Sequence, residues 1–144
     1  MLLLGLALIS DGAAAQLRLP INRGRPPVVP VLTEIDALRA EFAAQSGGTT
    51  VYFGGDSAML GPPARAVLAA QAAWLRRLPE VVVQIEGYAD LNDTRDHALA
   101  VGARRAEEVR SYLLLLGVPA AQVSTTSWGK ERPGPGRAVT VLVR

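Results

Sequence analysis

Residues 81–129 alternate in a way that leaves few folds open. "VVVQIEGY" (81–88) is a β-rich apolar run, and "VSTTSWG" (123–129) is another. Between them, Gly102, Ala106, Val109, Leu113 and Leu116 recur at steps of three or four, as on one face of a helix. Thr94 stands where an N-cap belongs, Asp96 in the first turn complements the helix dipole, and Gly117 with Pro119 beyond it marks the end. Two strands joined by one long helix pair in parallel through a right-handed crossover.

The flanks extend the pattern. "TTVYF" (49–53) reads as a strand, and "GPPARAVLAAQAAWLRRLP" as a helix with prolines in its first turn and Pro79 at its end. Val67, Leu68, Trp74, Leu75 and Leu78 form its apolar face, with Trp74 expected in the core. "AVTVLV" (138–143) closes the chain. The expected fold is therefore a two-layer α/β sandwich, β-α-β-α-β-β, with helices on one face of a mixed sheet. The last two strands, separated by "GKERPGPGR", are expected to form an antiparallel hairpin.

Upstream of residue 49 the chain divides into three parts. Residues 1–15 hold a short apolar run, Leu2–Ile9, then "AAA"; the run is far below the ~20 residues that cross a bilayer and reads as a secretory signal cleaved after Ala15. Residues 16–31 contain four prolines and read as an extended linker. Residues 32–46 read as a short helix capped by Thr33 and stopped by "SGG", with Ile35, Leu38 and Phe42 as a narrow stripe that docks loosely.

Composition removes several function classes. The net charge is +2, arginines are scattered and Lys130 is the single lysine, so no basic stripe for nucleic acid is present. Cysteine is absent, which excludes disulfides, thiolate metal sites and a cysteine nucleophile. His97 is the single histidine and has no second imidazole to complete a metal site. No metal, cofactor or catalytic residue is expected, because no nucleophile–base pair stands at a useful spacing.

Asp90 and Arg105 carry the candidate chemistry. Asp90 follows the central strand and Arg105 lies fifteen residues on, inside the helix. Eleven residues of helix from Thr94 climb ~16 Å. The loop at 91–93 recovers ~10 Å of this, and the side chain tilts back toward the helix N-terminus. The residues alone leave two readings open, an internal salt bridge or two opposed contacts to a ligand.

The segments "VYFGGDSAML", "QAAWLRRLP", "VQIEGYAD", "ALAVGARRAEEV", "YLLLLGV", "SWGKERP" and "RAVTVLV" together resemble an OmpA-like C-terminal domain, most nearly that of the peptidoglycan-associated lipoproteins, over residues 49–144. The resemblance implies a non-enzymatic domain that binds the peptide stem of peptidoglycan. The family's aspartate and second arginine, which clamp diaminopimelate, fall on Asp90 and Arg105. A carboxylate suits the ammonium of that zwitterion, and a guanidinium suits its carboxylate through two parallel hydrogen bonds. Asp56 and Ser57 border the pocket in relatives, or else cap the first long helix or close the turn before it. His97 replaces a pocket tyrosine, and Arg137 stands at a late arginine of the family. The resemblance also implies an exported protein of the periplasm, associated with the cell wall near the outer membrane, with other envelope proteins as further partners and no nucleic acid.

Departures from the family occur at Gly54, Asp93, Ala98 and in the shortened loop "PGPGR". They keep an alternative open: a degenerate module that serves as a protein-interaction or assembly domain without binding peptidoglycan. A wall hydrolase is the remaining alternative, and it lacks any constellation of residues to support it.

Overall fold

The computed structural model describes residues 33–90, 92 and 94–144. The expected signal and linker, and the departure at Asp93, lie outside the described residues. In chain order the elements are α1 (Glu34–Gln45), β1 (Thr50–Tyr52), α2 (Pro62–Arg77), β2 (Val83–Tyr88), α3 (Arg95–Leu115), β3 (Val123–Gly129) and β4 (Arg137–Leu142), with a short 3-10 turn at Ala120–Gln122.

The four strands form one sheet in the order β1-β4-β2-β3. β2 pairs with β3 in parallel, Val83 opposite Val123, as the crossover through α3 requires. β4 pairs antiparallel with both β1 and β2, with Tyr88 opposite Arg137. The expected β3–β4 hairpin is therefore not formed: β2 lies between those two strands. The patterning explains why. β4 buries Ala138, Thr140 and Leu142 on one side and half-buries Arg137, Val139 and Val141 on the other, which suits an interior strand. β3 exposes Ser124 and Thr125 and takes an edge. The β3–β4 connection must then pass over the end of β2, a displacement of two strand spacings, ~10 Å. That crossing brings Gly136 onto Asp90.

Inward side chains of β2 and β4 meet α1, α2 and α3 in one core that includes Phe42, Leu68, Trp74, Leu75, Val83, Ile85, Val109, Leu113 and Leu142. Trp74 is a core residue, 1 % exposed. α1 is not loosely docked, because Phe42 is fully buried with its ring 5.0 Å from that of Trp74. Arg39 also ties α1 to the end of β4 through two hydrogen bonds to the Leu142 carbonyl, at 2.9 and 3.1 Å. Both expected caps form: the Thr33 hydroxyl accepts from the Asp36 amide and that of Thr94 from the His97 amide.

α3 seats on β2 through two glycines. The Cβ position of Gly102 lies 2.9 Å from the Gly87 carbonyl oxygen, and a Cβ on Gly87 would collide with the Gly102 carbonyl. Only glycine at both positions lets helix and strand backbones approach this closely. This contact fixes the height of α3 along β2, and with it the level at which Arg105 meets the end of the strand.

Candidate functional site

Asp90 follows β2, where the strand runs out beneath the β3–β4 connection. Its Oδ1 accepts a hydrogen bond of 2.8 Å from the Gly136 amide. The Gly136 carbonyl in turn accepts from the Phe53 amide at 3.0 Å, so this one residue joins the end of β1 to the end of β2.

Arg105 projects from α3 toward the same strand end and is 0 % exposed. Its Nε donates to the Ser57 carbonyl and one terminal nitrogen to the Tyr88 carbonyl, both at 2.9 Å, while the other donates to the Gly55 carbonyl. The guanidinium also lies 5.2 Å from the Phe53 ring centroid. A Cβ added at Gly136 would meet the Arg105 guanidinium, so the short loop lies directly upon it. Asp90 and Arg105 thus reach one place, but the bonds each makes go to backbone groups rather than to each other. Burial lowers the Arg105 pKa, while the nearby carboxylates of Asp90 and Asp56 raise it. Those carboxylates act from beyond contact distance.

Three sequence-derived residues border this centre. Asp56 extends from the β1–α2 loop and faces His97 in the first turn of α3, with Oδ2 to Nε2 at 3.5 Å. That pair is exposed, the side chains retaining 74 % and 52 % of their accessible surface, and it bridges the β1–α2 loop and the first turn of α3. Ser57 closes the local turn: its hydroxyl accepts from the Met59 amide at 3.0 Å, and only its carbonyl reaches Arg105. The helix cap considered for Asp56 and Ser57 is not made, since α2 begins at Pro62 with Gly61 at its N-cap and no side-chain cap.

Arg137 stands apart from these. It is paired in register with Tyr88 and lies on the sheet face opposite α3, its guanidinium 3.9 Å from the Tyr88 ring centroid. One of its terminal nitrogens donates to the Pro135 carbonyl at 2.9 Å. The loop 134–136 is thereby held from both sides, by Arg137 on one and by Asp90 and Arg105 on the other.

Sequence reasoning missed Phe53, Tyr88 and Gly136. Phe53 directly follows β1 and Tyr88 ends β2, and what each supplies to Arg105, a ring face and a backbone carbonyl, has no signature in the residue type. Gly136 contributes only backbone. Its one trace in the sequence is the run "PGPG", which spells a tight turn and not its destination.

A mixed sheet ordered β1-β4-β2-β3, backed by helices and carrying an acid at the end of β2 beside an arginine from the following helix, defines an OmpA-like domain. The model of the OmpA family matches residues 52–139, and the chain belongs to that family. It is 35% identical over 128 residues to the peptidoglycan-associated lipoprotein of Agrobacterium fabrum, covering 89% of this chain and 72% of that protein. It is 44% identical over 86 residues to the peptidoglycan-associated lipoprotein of Rhizobium meliloti, covering 60% of this chain and 49% of that protein; the chain thus spans about half of that relative. Among solved structures it resembles the peptidoglycan-associated lipoprotein of Burkholderia pseudomallei, with a TM-score of 0.65 and 36% identity over 67% of this chain and 91% of the other.

Among the described residues there is no group of three or more His, Cys, Asp or Glu that could hold a metal ion. Nor, among them, is any helix long and apolar enough to cross a membrane.

Proposed function

We propose that this domain binds the peptide stem of peptidoglycan non-covalently, taking the head group of diaminopimelate between Asp90 and Arg105. The observation that carries the reading is the state of Arg105. Its guanidinium is fully buried, yet its contacts are neutral carbonyls. A buried charge without a counter-ion in contact is costly and is best compensated by a close anion. Of the five N–H groups of a guanidinium, three are engaged here, leaving one on each terminal nitrogen for a carboxylate. The ammonium of the ligand would take the place of the Gly136 N–H on Asp90, and the loop 134–136 would lift as it did so. The membership and the relatives' names support a setting in the periplasm, at the cell wall near the outer membrane.

Pelleting with purified peptidoglycan tests this. The unaltered domain is expected to sediment with the sacculi, and Asp90→Ala to bind about tenfold more weakly, the effect of one lost charge-assisted contact. Asp90 is half-exposed and makes one bond to a loop amide, so the variant keeps its fold and its circular dichroism. A second reading, an interaction module that has lost the ligand, draws on the closure of the short loop over Arg105. Equal pelleting of both proteins would reject the clamp, and the absence of pelleting by either would favour the second reading.

A further inference from the structure

The two edges of the sheet are built differently. β1, at one edge, is three residues long, whereas β3, at the other, runs for seven. An edge strand presents a row of unpaired N–H and C=O groups, and natural edges are guarded by brevity, charge, proline or a covering segment. β3 has few such guards. From Ala120 to Gly129 the chain holds no charged residue and no proline. Ser124 and Thr125 are exposed, and among the described residues no other strand pairs with the outer side of β3. What protection there is stands at the two ends. Arg110 of α3 donates to the Val123 carbonyl at 3.0 Å, and the register with β2 shifts between Gly87 and Tyr88. Between these ends lies the run Ser124–Ser127.

The composition of that run selects its partner. A hydroxyl is donor and acceptor alike, so a row of Ser and Thr is complementary to itself, as a row of carboxylates or guanidiniums is not. In an antiparallel pair of copies centred on Thr125, that residue stands opposite its own mate and Ser124 stands opposite Thr126. Cross-strand hydroxyl pairs of this kind stabilise a sheet. The same register sets Lys130 against Ala120 and Glu131 against Pro119. Centring on Thr126 instead sets Lys130 against Gln122 and Glu131 against Ala121. In neither register does a charge meet its like, and a two-fold contact closes at two copies.

We propose that β3 pairs antiparallel with β3 of a second copy of this chain, which joins two four-stranded sheets into one continuous sheet. β2 lies beside β3 and runs parallel to it, so the two-fold places the two Asp90–Arg105 centres at opposite ends of the joined sheet. The inference does not depend on what those centres bind. The paired run is short, so the association is weak, with a Kd on the order of 0.1 mM.

Sedimentation equilibrium of the full chain up to about 1 mM tests this, compared with Thr125→Lys. The unaltered chain is expected to dimerise, and the variant, which sets two ammonium groups face to face on an exposed edge, to do so at least about tenfold more weakly with its circular dichroism unchanged. The absence of cysteine allows a second measurement. Thr125→Cys or Thr126→Cys, whichever marks the two-fold, should form an intermolecular disulfide readily, since directly opposed strand residues lie within the Cα separation a disulfide spans. Tyr52→Cys, 66 % exposed on the opposite edge of the sheet, should cross-link slowly. A chain that stays monomeric throughout, a dimer that Thr125→Lys leaves equally tight, or cross-linking as fast through Tyr52→Cys as through either β3 cysteine would each overturn the proposal.

Discussion

Arg105→Met is expected to destabilise the domain by ~3 kcal/mol, in addition to abolishing any binding that depends on the guanidinium. Methionine matches the length of the aliphatic stem and keeps the packing beneath Phe53, so the loss isolates the polar contacts. The substitution strands the carbonyls of Gly55, Ser57 and Tyr88, of which that of Tyr88 accepts in a fully buried bond. Each buried carbonyl left without a donor costs ~1–3 kcal/mol, and the two loop carbonyls recover part of this by turning to water. For a domain of this size the sum corresponds to a fall in Tm of roughly 10 °C. Arg105→Lys should recover little, because an ammonium on a flexible stem does not span three acceptors held in one plane. Melting temperatures within 2 °C or so of the unaltered domain would show that the three bonds contribute nothing net. Arg105 would then be a ligand contact alone.

Gly87→Ala is expected to be comparably severe. The added Cβ collides with the Gly102 carbonyl and lies 3.2 Å from the Ala106 Cβ. No flexible side-chain end is there to yield, so α3 must move off β2 as a body. Forced overpacking of this kind costs ~1–3 kcal/mol and exceeds that when backbone must shift. An urea titration should show a midpoint lowered by more than 1 M or so, with the slope retained. α3 also carries Arg105, so the displacement separates the guanidinium from the Tyr88 carbonyl and weakens binding beyond the loss of stability. A midpoint unchanged by the substitution would mean that helix and strand are not seated where the two glycines place them.

The convergence of Asp90 and Arg105 was legible because it is local. Strand end, capped helix and intervening spacing all lie within one strand–helix unit, and a helix rise with a short loop sets the two side chains at one level. Family motifs that encode such a unit carry the same information. The hairpin failed for the opposite reason. Whether β3 and β4 pair depends on which strand lies between them, a question of long-range order that the local pattern of "VSTTSWG" and "AVTVLV" does not record. The clue was present in weaker form: the polar run Ser124–Thr126 suits an edge, and the apolar run at 138–143 suits an interior position.

That one error concealed the main feature of the site. With a hairpin, "PGPGR" would be a turn at the margin of the sheet. With β2 inserted, the same residues cross the strand end and lie on both Asp90 and Arg105. The acceptors of Arg105 were hidden for a related reason. Carbonyls of Gly55, Ser57 and Tyr88 are backbone atoms, and a sequence records no preference for where a carbonyl points. Side-chain chemistry can be read ahead of the structure; backbone chemistry at a loop crossing cannot.

The central claim is that the ammonium of a small zwitterion replaces the Gly136 amide on Asp90 while Arg105 takes the carboxylate. Titration of the labelled domain with free diaminopimelate, followed by backbone amide shifts and hydrogen exchange, tests it most directly. The amides of Asp90 and Gly136 and the side-chain Nε–H of Arg105 should shift together with one affinity, and the Gly136 amide should lose its protection as the loop lifts. Saturating ligand that leaves these three signals in place, with the Gly136 amide still protected, would contradict the claim.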